Sequence, residues 1–248
     1  MEVAFFLPCL NDRVLPRPAI AAVKIIEHLG HRVVFPEEQR CCGQPFYNNG
    51  YRDSARECAR HFIETFAGFA NIVTTSASCT AMVVEHYPHL IPPGDPLHGQ
   101  LERVRQNLFE FSTFLTERLG VASCDLGATG SGVATYHQSC HHRQLPGDET
   151  DRLLAGVTGL DVRPLEPRER CCGFGGTFMA QQADVTRGML DDRLDDLQAT
   201  GADTLICSDA GCALNLASAC KEKAPDVRVL SLAELLAEGL GLMERGSW

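Results

Sequence analysis

Cysteine is the residue type whose number and spacing point to chemistry in this chain. Twelve occur in 248 residues, and eight of them fall into two matching sets of four. Two Cys-Cys-Gly triplets anchor the sets, Cys41-Cys42-Gly43 and Cys171-Cys172-Gly173. Upstream of each stands a lone cysteine, Cys9 and Cys140; downstream stands another, Cys79 and Cys212. The second set follows the first at an offset of 130 to 133 residues throughout. Cysteines used only as small buried hydrophobes have no reason to keep such a register. Four sulfurs that must converge on one centre do. Four thiolates suit zinc or an iron–sulfur cluster. Structural zinc sites usually draw on short Cys-x2–4-Cys pairs, and no two cysteines of these sets are separated by two to four residues. Adjacent pairs with distant partners form a better cage for a larger cluster. Zinc and a thiol/disulfide relay are the other two readings.

The elements that must position these sulfurs repeat as well. Val3–Leu7 before Cys9 matches Val133–Tyr136 before Cys140. His31–Pro36 before the first triplet matches Leu160–Leu165 before the second. Ile72–Thr75 before Cys79 matches Thr204–Cys207 before Cys212. All are short apolar, β-branched runs of strand type. Helical patterns lie between them at Ala19–Leu29, Asp53–Phe69, Thr150–Leu154 and Ala183–Leu197. Each half closes with another segment read as strand-like, Phe111–Leu115 and Leu230–Leu235. Strands alternating with helices predict an α/β fold. It consists of two similar Rossmann-like lobes, each a small parallel sheet flanked by helices, related by a pseudo-twofold. The glycine-rich stretch before Val133 sets the boundary: residues 1–120 form the first lobe, 121–132 a linker and 133–248 the second lobe. Ligands of open parallel sheets bind beyond the carboxyl ends of the strands, where all eight cysteines fall. Gly43 and Gly173-Phe174-Gly175-Gly176 let backbone approach a bulky centre and offer N–H groups to sulfur.

Composition bounds the remaining readings. Lys+Arg is 22 against 32 Asp+Glu, a formal charge of −10. Such a chain is a poor candidate for nucleic acid or an anionic membrane surface. No apolar stretch is long enough to span a bilayer. The start, Met1-Glu2-Val3-Ala4-Phe5-Phe6, has no basic segment ahead of an apolar one and is not read as a signal peptide. The expected location is cytoplasmic, where thiols stay reduced and cysteine clusters signify metal or redox work.

The double Cys…Cys-Cys-Gly…Cys pattern resembles the cysteine-rich CCG domain. That domain occurs in heterodisulfide reductase, in the iron–sulfur component of glycolate oxidase and in the lactate utilisation protein A family. The last is the nearest resemblance. It rests on Cys41-Cys42-Gly43-Gln44-Pro45, Tyr136-His137-Gln138-Ser139-Cys140-His141, Cys171–Phe178, and Gly201-Ala202-Asp203 running to Asp209-Ala210-Gly211-Cys212. The resemblance implies a 4Fe–4S protein with one or two clusters, held by Cys9, Cys41, Cys42, Cys79, Cys140, Cys171, Cys172 and Cys212. It implies an oxidoreductase subunit that is inactive alone and takes part in oxidising L-lactate to pyruvate. The implied partners are a LutB-like ferredoxin-type iron–sulfur protein and a LutC-like protein. A heterodisulfide-reductase-like thiol/disulfide reductase, or a glycolate oxidase iron–sulfur subunit, is the alternative.

One departure bears on that alternative. Heterodisulfide reductase ends each half with Cys-x-x-Cys and builds noncubane clusters. Here Ser76 and Asp209 stand in place of the first cysteine of that motif. Four cysteines per half remain, the number a cubane takes. Asp209 is a candidate oxygen ligand or a helix N-cap, and Cys207 is a candidate accessory ligand. Cys58 and Cys220 read as buried thiols and Cys124 as an incidental linker residue. His137, His141 and His142 flank Cys140 and are candidates to donate to cluster sulfur or to relay protons. No nucleotide-binding, hydrolase or metalloprotease motif is present.

Overall fold

The computed structural model describes residues 1–121, 126–145 and 147–246. Each half forms one four-stranded sheet, and every pairing is parallel. The first sheet has the order β2-β1-β3-β4, with β1 Glu2–Phe5, β2 Arg32–Val34, β3 Ile72–Thr74 and β4 Leu108–Glu110. The second repeats it as β6-β5-β7-β8, with β5 Val133–His137, β6 Asp161–Arg163, β7 Thr204–Cys207 and β8 Arg228–Ser231. The register repeats too: Phe5 pairs with Val73 as Tyr136 pairs with Ile206. The chain is thus an α/β protein of two similar lobes.

The helices form where apolar residues recur at helical spacing. Arg17–His28 carries Pro18 in its first turn, where the fixed φ suits a helix start, and buries Ala19, Ala22, Ile25 and Ile26 along one stripe. Burying each isoleucine contributes about 1.5–3 kcal/mol. Arg52–Phe66, Glu149–Ala155 and Ala183–Thr200 lie on the other predicted helical stretches. The closing segments differ from expectation. Each strand ends early, at Glu110 and Ser231, and Phe111–Thr113 and Leu232–Gly239 are helical. The cause is capping. The Glu110 carboxylate accepts from Ser112 N–H, and Ser231 with Glu234 forms a full capping box.

These closing helices fuse the lobes. Arg17–His28 of the first lobe packs on Leu232–Gly239 of the second, and Glu149–Ala155 packs on Phe111–Thr113 in the symmetry-related contact. One apolar core runs through both seams, joining Phe5, Ile25 and Phe114 to Leu154, Ile206 and Leu236. Arg17 crosses the first seam to the fully buried Glu234 at 3.1 Å. Thr129, placed in the linker by the sequence, bridges Thr158 and donates its N–H to the Gly239 carbonyl, so this end of the linker packs with the second lobe.

Candidate metal centre

In a 2-1-3-4 sheet the order in which strands are added reverses between β1 and β3, and the crevice beyond their carboxyl ends is the natural ligand site. Cys9 follows β1 and Cys79 follows β3, so they flank that crevice; Cys41 and Cys42 enter from the loop after β2. The second lobe repeats the arrangement with Cys140, Cys212, Cys171 and Cys172. The two crevices face each other. All eight cysteines line one cavity of about 250 Å3 between the lobes. Within the first lobe Cys41 and Cys9 sulfurs lie 4.0 Å apart, and Cys42 and Cys79 sulfurs 3.3 Å apart. All eleven cysteines among the described residues are free thiols. A donor set of four soft sulfurs per lobe, with no disulfide among them, fits a thiolate-ligated centre.

Local backbone explains how an adjacent pair can aim both sulfurs inward. Gly43 and Gly173 sit at φ +81° and +76°, a left-handed conformation that side chains resist. Each N–H then turns back on the first cysteine of its pair, at 3.5 Å to Cys41 Sγ and 3.4 Å to Cys171 Sγ. A Cβ at Gly43 would meet Cys58 Cβ at 2.8 Å, and one at Gly173 would meet Met189 Cβ at 3.2 Å. The carbonyls of the second cysteines are held by different groups in the two lobes: the Tyr87 hydroxyl donates to Cys42 O, and the Asn215 amide to Cys172 O, both at 2.8 Å.

The thiols differ in acidity. Cys41 is held well below the usual thiol range by hydrogen bonds from Cys42 and Cys9 and by Gly43 N–H. Cys171 is lowered likewise by Cys140, Cys172 and Gly173 N–H. Cys9, Cys42, Cys140 and Cys172 are raised, first by donating to those sulfurs and then by burial. In each quartet the first cysteine of the adjacent pair is thus the thiol whose ionised form is favoured.

Ser76 and Asp209 meet across the seam. Asp209 Oδ1 caps its own helix at Gly211 N–H, at 3.0 Å. Its Oδ2 accepts from Ser78 N–H at 3.0 Å and from the Ser76 hydroxyl at 3.2 Å. Ser76 Oγ in turn accepts from Cys79 N–H. The two residues that replace cysteine thus cap both cysteine-bearing helices and tie the lobes together. Asp209 lines the cavity but spends both oxygens on these donors.

Cys207 lies in the second lobe's core rather than on the cavity lining, and burial raises its thiol. Cys58 is half-buried and Cys220 buried, neither lining the cavity. Cys124 lies outside the described residues. His141 lines the cavity, with Nδ1 3.6 Å from Cys140 Sγ and Nε2 3.2 Å from the Gln44 amide nitrogen. Because that amide can only donate, the ring proton is assigned to Nδ1, facing sulfur. His142 turns away and bonds the Tyr136 hydroxyl at 3.1 Å. His137 is buried against Arg193, and a ring nitrogen lies within 4.8 Å of the Cys172 and Cys212 sulfurs. Sequence reasoning did not find Arg193, Gln44, Tyr87 or Asn215; each acts through a neighbour 34 or more residues away.

Comparison with known proteins agrees with this geometry. The cysteine-rich domain model, CCG, matches twice, at residues 3–84 and 134–217. "Lactate utilization protein A" of Bacillus cereus (strain G9842) is 40% identical over 238 residues, covering 95% of this chain and 98% of its own. The protein of the same name from Exiguobacterium sp. is 40% identical over 243 residues, covering 96% and 98%. The chain belongs to the lactate utilisation protein A family. Among solved structures, a hypothetical protein from Helicobacter pylori aligns with 99% of this chain at a TM-score of 0.57 and 12% identity. The chain spans 49% of that protein's length, and the likeness is one of fold. No helix among the described residues is long and apolar enough to cross a membrane.

Proposed function

We propose that this protein is an iron–sulfur electron-transfer component of a cytoplasmic system that oxidises L-lactate to pyruvate. The observation that carries the reading is the convergence of two matched thiol quartets on one cavity between the lobes. Cys9, Cys41, Cys42 and Cys79 would hold one 4Fe–4S cluster, and Cys140, Cys171, Cys172 and Cys212 a second. When bound, such clusters take up and release electrons one at a time. The chain's own groups prepare the site. Hydrogen bonds hold the Cys41 and Cys171 thiols low, Gly43 and Gly173 donate N–H to them, and Tyr87 and Asn215 fix the adjacent carbonyls. Four sulfurs per lobe favour a cubane over the noncubane centre of heterodisulfide reductase, since Ser76 and Asp209 are engaged in capping.

Oxidising a 2-hydroxy acid releases two electrons, and the sequence carries no nicotinamide or flavin motif to take them as hydride. The substrate-oxidising step therefore belongs to the assembled system, with a LutB-like ferredoxin-type protein and a LutC-like protein as partners. The −10 charge favours a partner with a basic face. The test is lactate-dependent cluster reduction followed by EPR, with and without the partners. Reduction should need the partners and should slow as salt rises, because the Debye length falls from about 10 Å at 0.1 M to about 3 Å at 1 M. Complete lactate oxidation by this chain alone would refute the subunit reading, and a rate flat in salt would remove charge steering.

A further inference from the structure

The two lobes differ sharply directly behind their sulfurs. His137 ends β5, opposite Cys207, and the matching position after β1 is Phe6. Arg193 lies on Ala183–Thr200; the glycine contacts equate Thr186 and Met189 with Ala55 and Cys58, which places Phe62 opposite Arg193. In the first lobe the two positions form an edge-to-face aromatic pair, Phe6 and Phe62, with centroids 4.8 Å apart. In the second lobe Arg193 Nε donates to His137 Nδ1 at 3.2 Å, and both side chains are about 1% exposed.

That bond fixes the histidine's role. A guanidinium can only donate, so Nδ1 accepts and the ring proton sits on Nε2. A protonated Nε2 is a donor, not an iron ligand. Among the described residues it has no hydrogen-bond partner, nor does Arg193 Nη2, although both atoms are buried. Arg193 Nη1 bonds Pro167 O and Asp196, whose carboxylate is shared with Arg170; Arg170 also faces Asp192 at 3.4 Å, so the formal charges of the four side chains cancel, but Asp192 is exposed and Arg193 is the one fully buried member of the four. His141 adds a second N–H at Cys140, where the first lobe has Leu10. The glycine N–H bonds are common to both lobes. Asp209 lies on the seam, its charge spread over donors from both lobes.

We propose that the His137–Arg193 pair makes the second-lobe site the more oxidising of the two, so that a single electron on the protein resides there. An added electron makes a cluster more negative, and N–H donors beside its sulfurs together with a buried guanidinium stabilise that charge. One electron leaves the reduced first-lobe site, the oxidised second-lobe site gains it, and no proton moves. The inference rests on the iron–sulfur reading above.

The experiment is a dithionite redox titration of the anaerobically purified protein, followed by EPR. Two midpoints are expected, with the higher one surviving Cys41→Ser, which removes the first-lobe cluster. Arg193→Met and His137→Phe should each lower that higher midpoint at unchanged iron content. The expected shift is at least about tenfold in the electron's distribution between lobes, ~59 mV for one electron. Arg193→Lys, which keeps the cation, should retain most of the split. Should Arg193→Met fail to fold, His137→Phe carries the test, since it copies the first lobe's residue. A higher midpoint in the first lobe, or two midpoints that do not respond, overturns this inference alone. Absence of iron from the unsubstituted protein overturns the iron–sulfur reading and this inference with it.

Discussion

An aromatic wall of Phe6, Phe62 and Phe66 backs the sulfurs of the first lobe, whereas a buried histidine and arginine back those of the second. In front of these walls the lobes are nearly superimposable in logic. Each has the same strand order, a left-handed glycine after its cysteine pair and an N–H turned onto the first sulfur. The difference teaches where a duplicated site is free to vary. Converging four sulfurs constrains strand order, loop entry and backbone sign, so those repeat. The packing behind only has to fill space and leave no unbalanced charge, so it diverges, and with it the electrostatics felt at the sulfurs.

The largest expected effect tests the shared part. Cys→Ser at Cys41 or Cys42 should abolish the cluster signal of the first lobe, and at Cys171 or Cys172 that of the second, because a hard hydroxyl replaces a soft thiolate. Iron content and EPR read it directly; loss of both signals from any one change would break the picture of two separable sites. Glycine substitutions sharpen the comparison. Gly43→Ala and Gly173→Ala each force a side chain into left-handed backbone, costing about 1–2 kcal/mol. Gly43→Ala should cost more, since its Cβ meets Cys58 Cβ at 2.8 Å against 3.2 Å to Met189 for Gly173→Ala. Urea denaturation of the two variants ranks them, and the reverse order would contradict the geometry.

The seam comes next. Asp209→Ala removes one helix cap and the acceptor for Ser76 and Ser78, a loss of about 1–3 kcal/mol. Chemical denaturation should show it as one transition at lower denaturant, because the apolar core is continuous across the lobes. Two separated transitions would mean the lobes unfold independently. The smallest effect is expected at Cys58→Ser and Cys220→Ser, neither of which lines the cavity. Their visible spectra should match the unsubstituted protein, and cluster loss in either would redraw the ligand assignment.

Much of this comparison could be read from the sequence. The offsets of eight cysteines, and strand-type runs before each, suffice to predict two lobes with sulfurs at the strand ends. Phe111–Leu115 and Leu230–Leu235 misled because Phe, Thr and Leu suit strand and buried helix alike. The Ser231…Glu234 capping box was the available signal that a helix starts there. His137–Arg193 and Ser76–Asp209 lay beyond sequence reasoning for a different reason. Their partners are 56 and 133 residues apart, and only the folded sheets bring them together. Asp209 was legible as a cap from its place before a helix, but not as a tie between lobes.

The central claim is that two matched thiol quartets hold two cubane clusters. It is tested most directly by counting iron and acid-labile sulfide in the anaerobically purified protein, alone and with Cys41→Ser and Cys171→Ser. The account predicts about eight irons and eight sulfides per chain, falling to about four of each in either variant, four being the content of one 4Fe–4S cluster. A colourless protein carrying zinc, or an iron content that both variants reduce to zero, would contradict it.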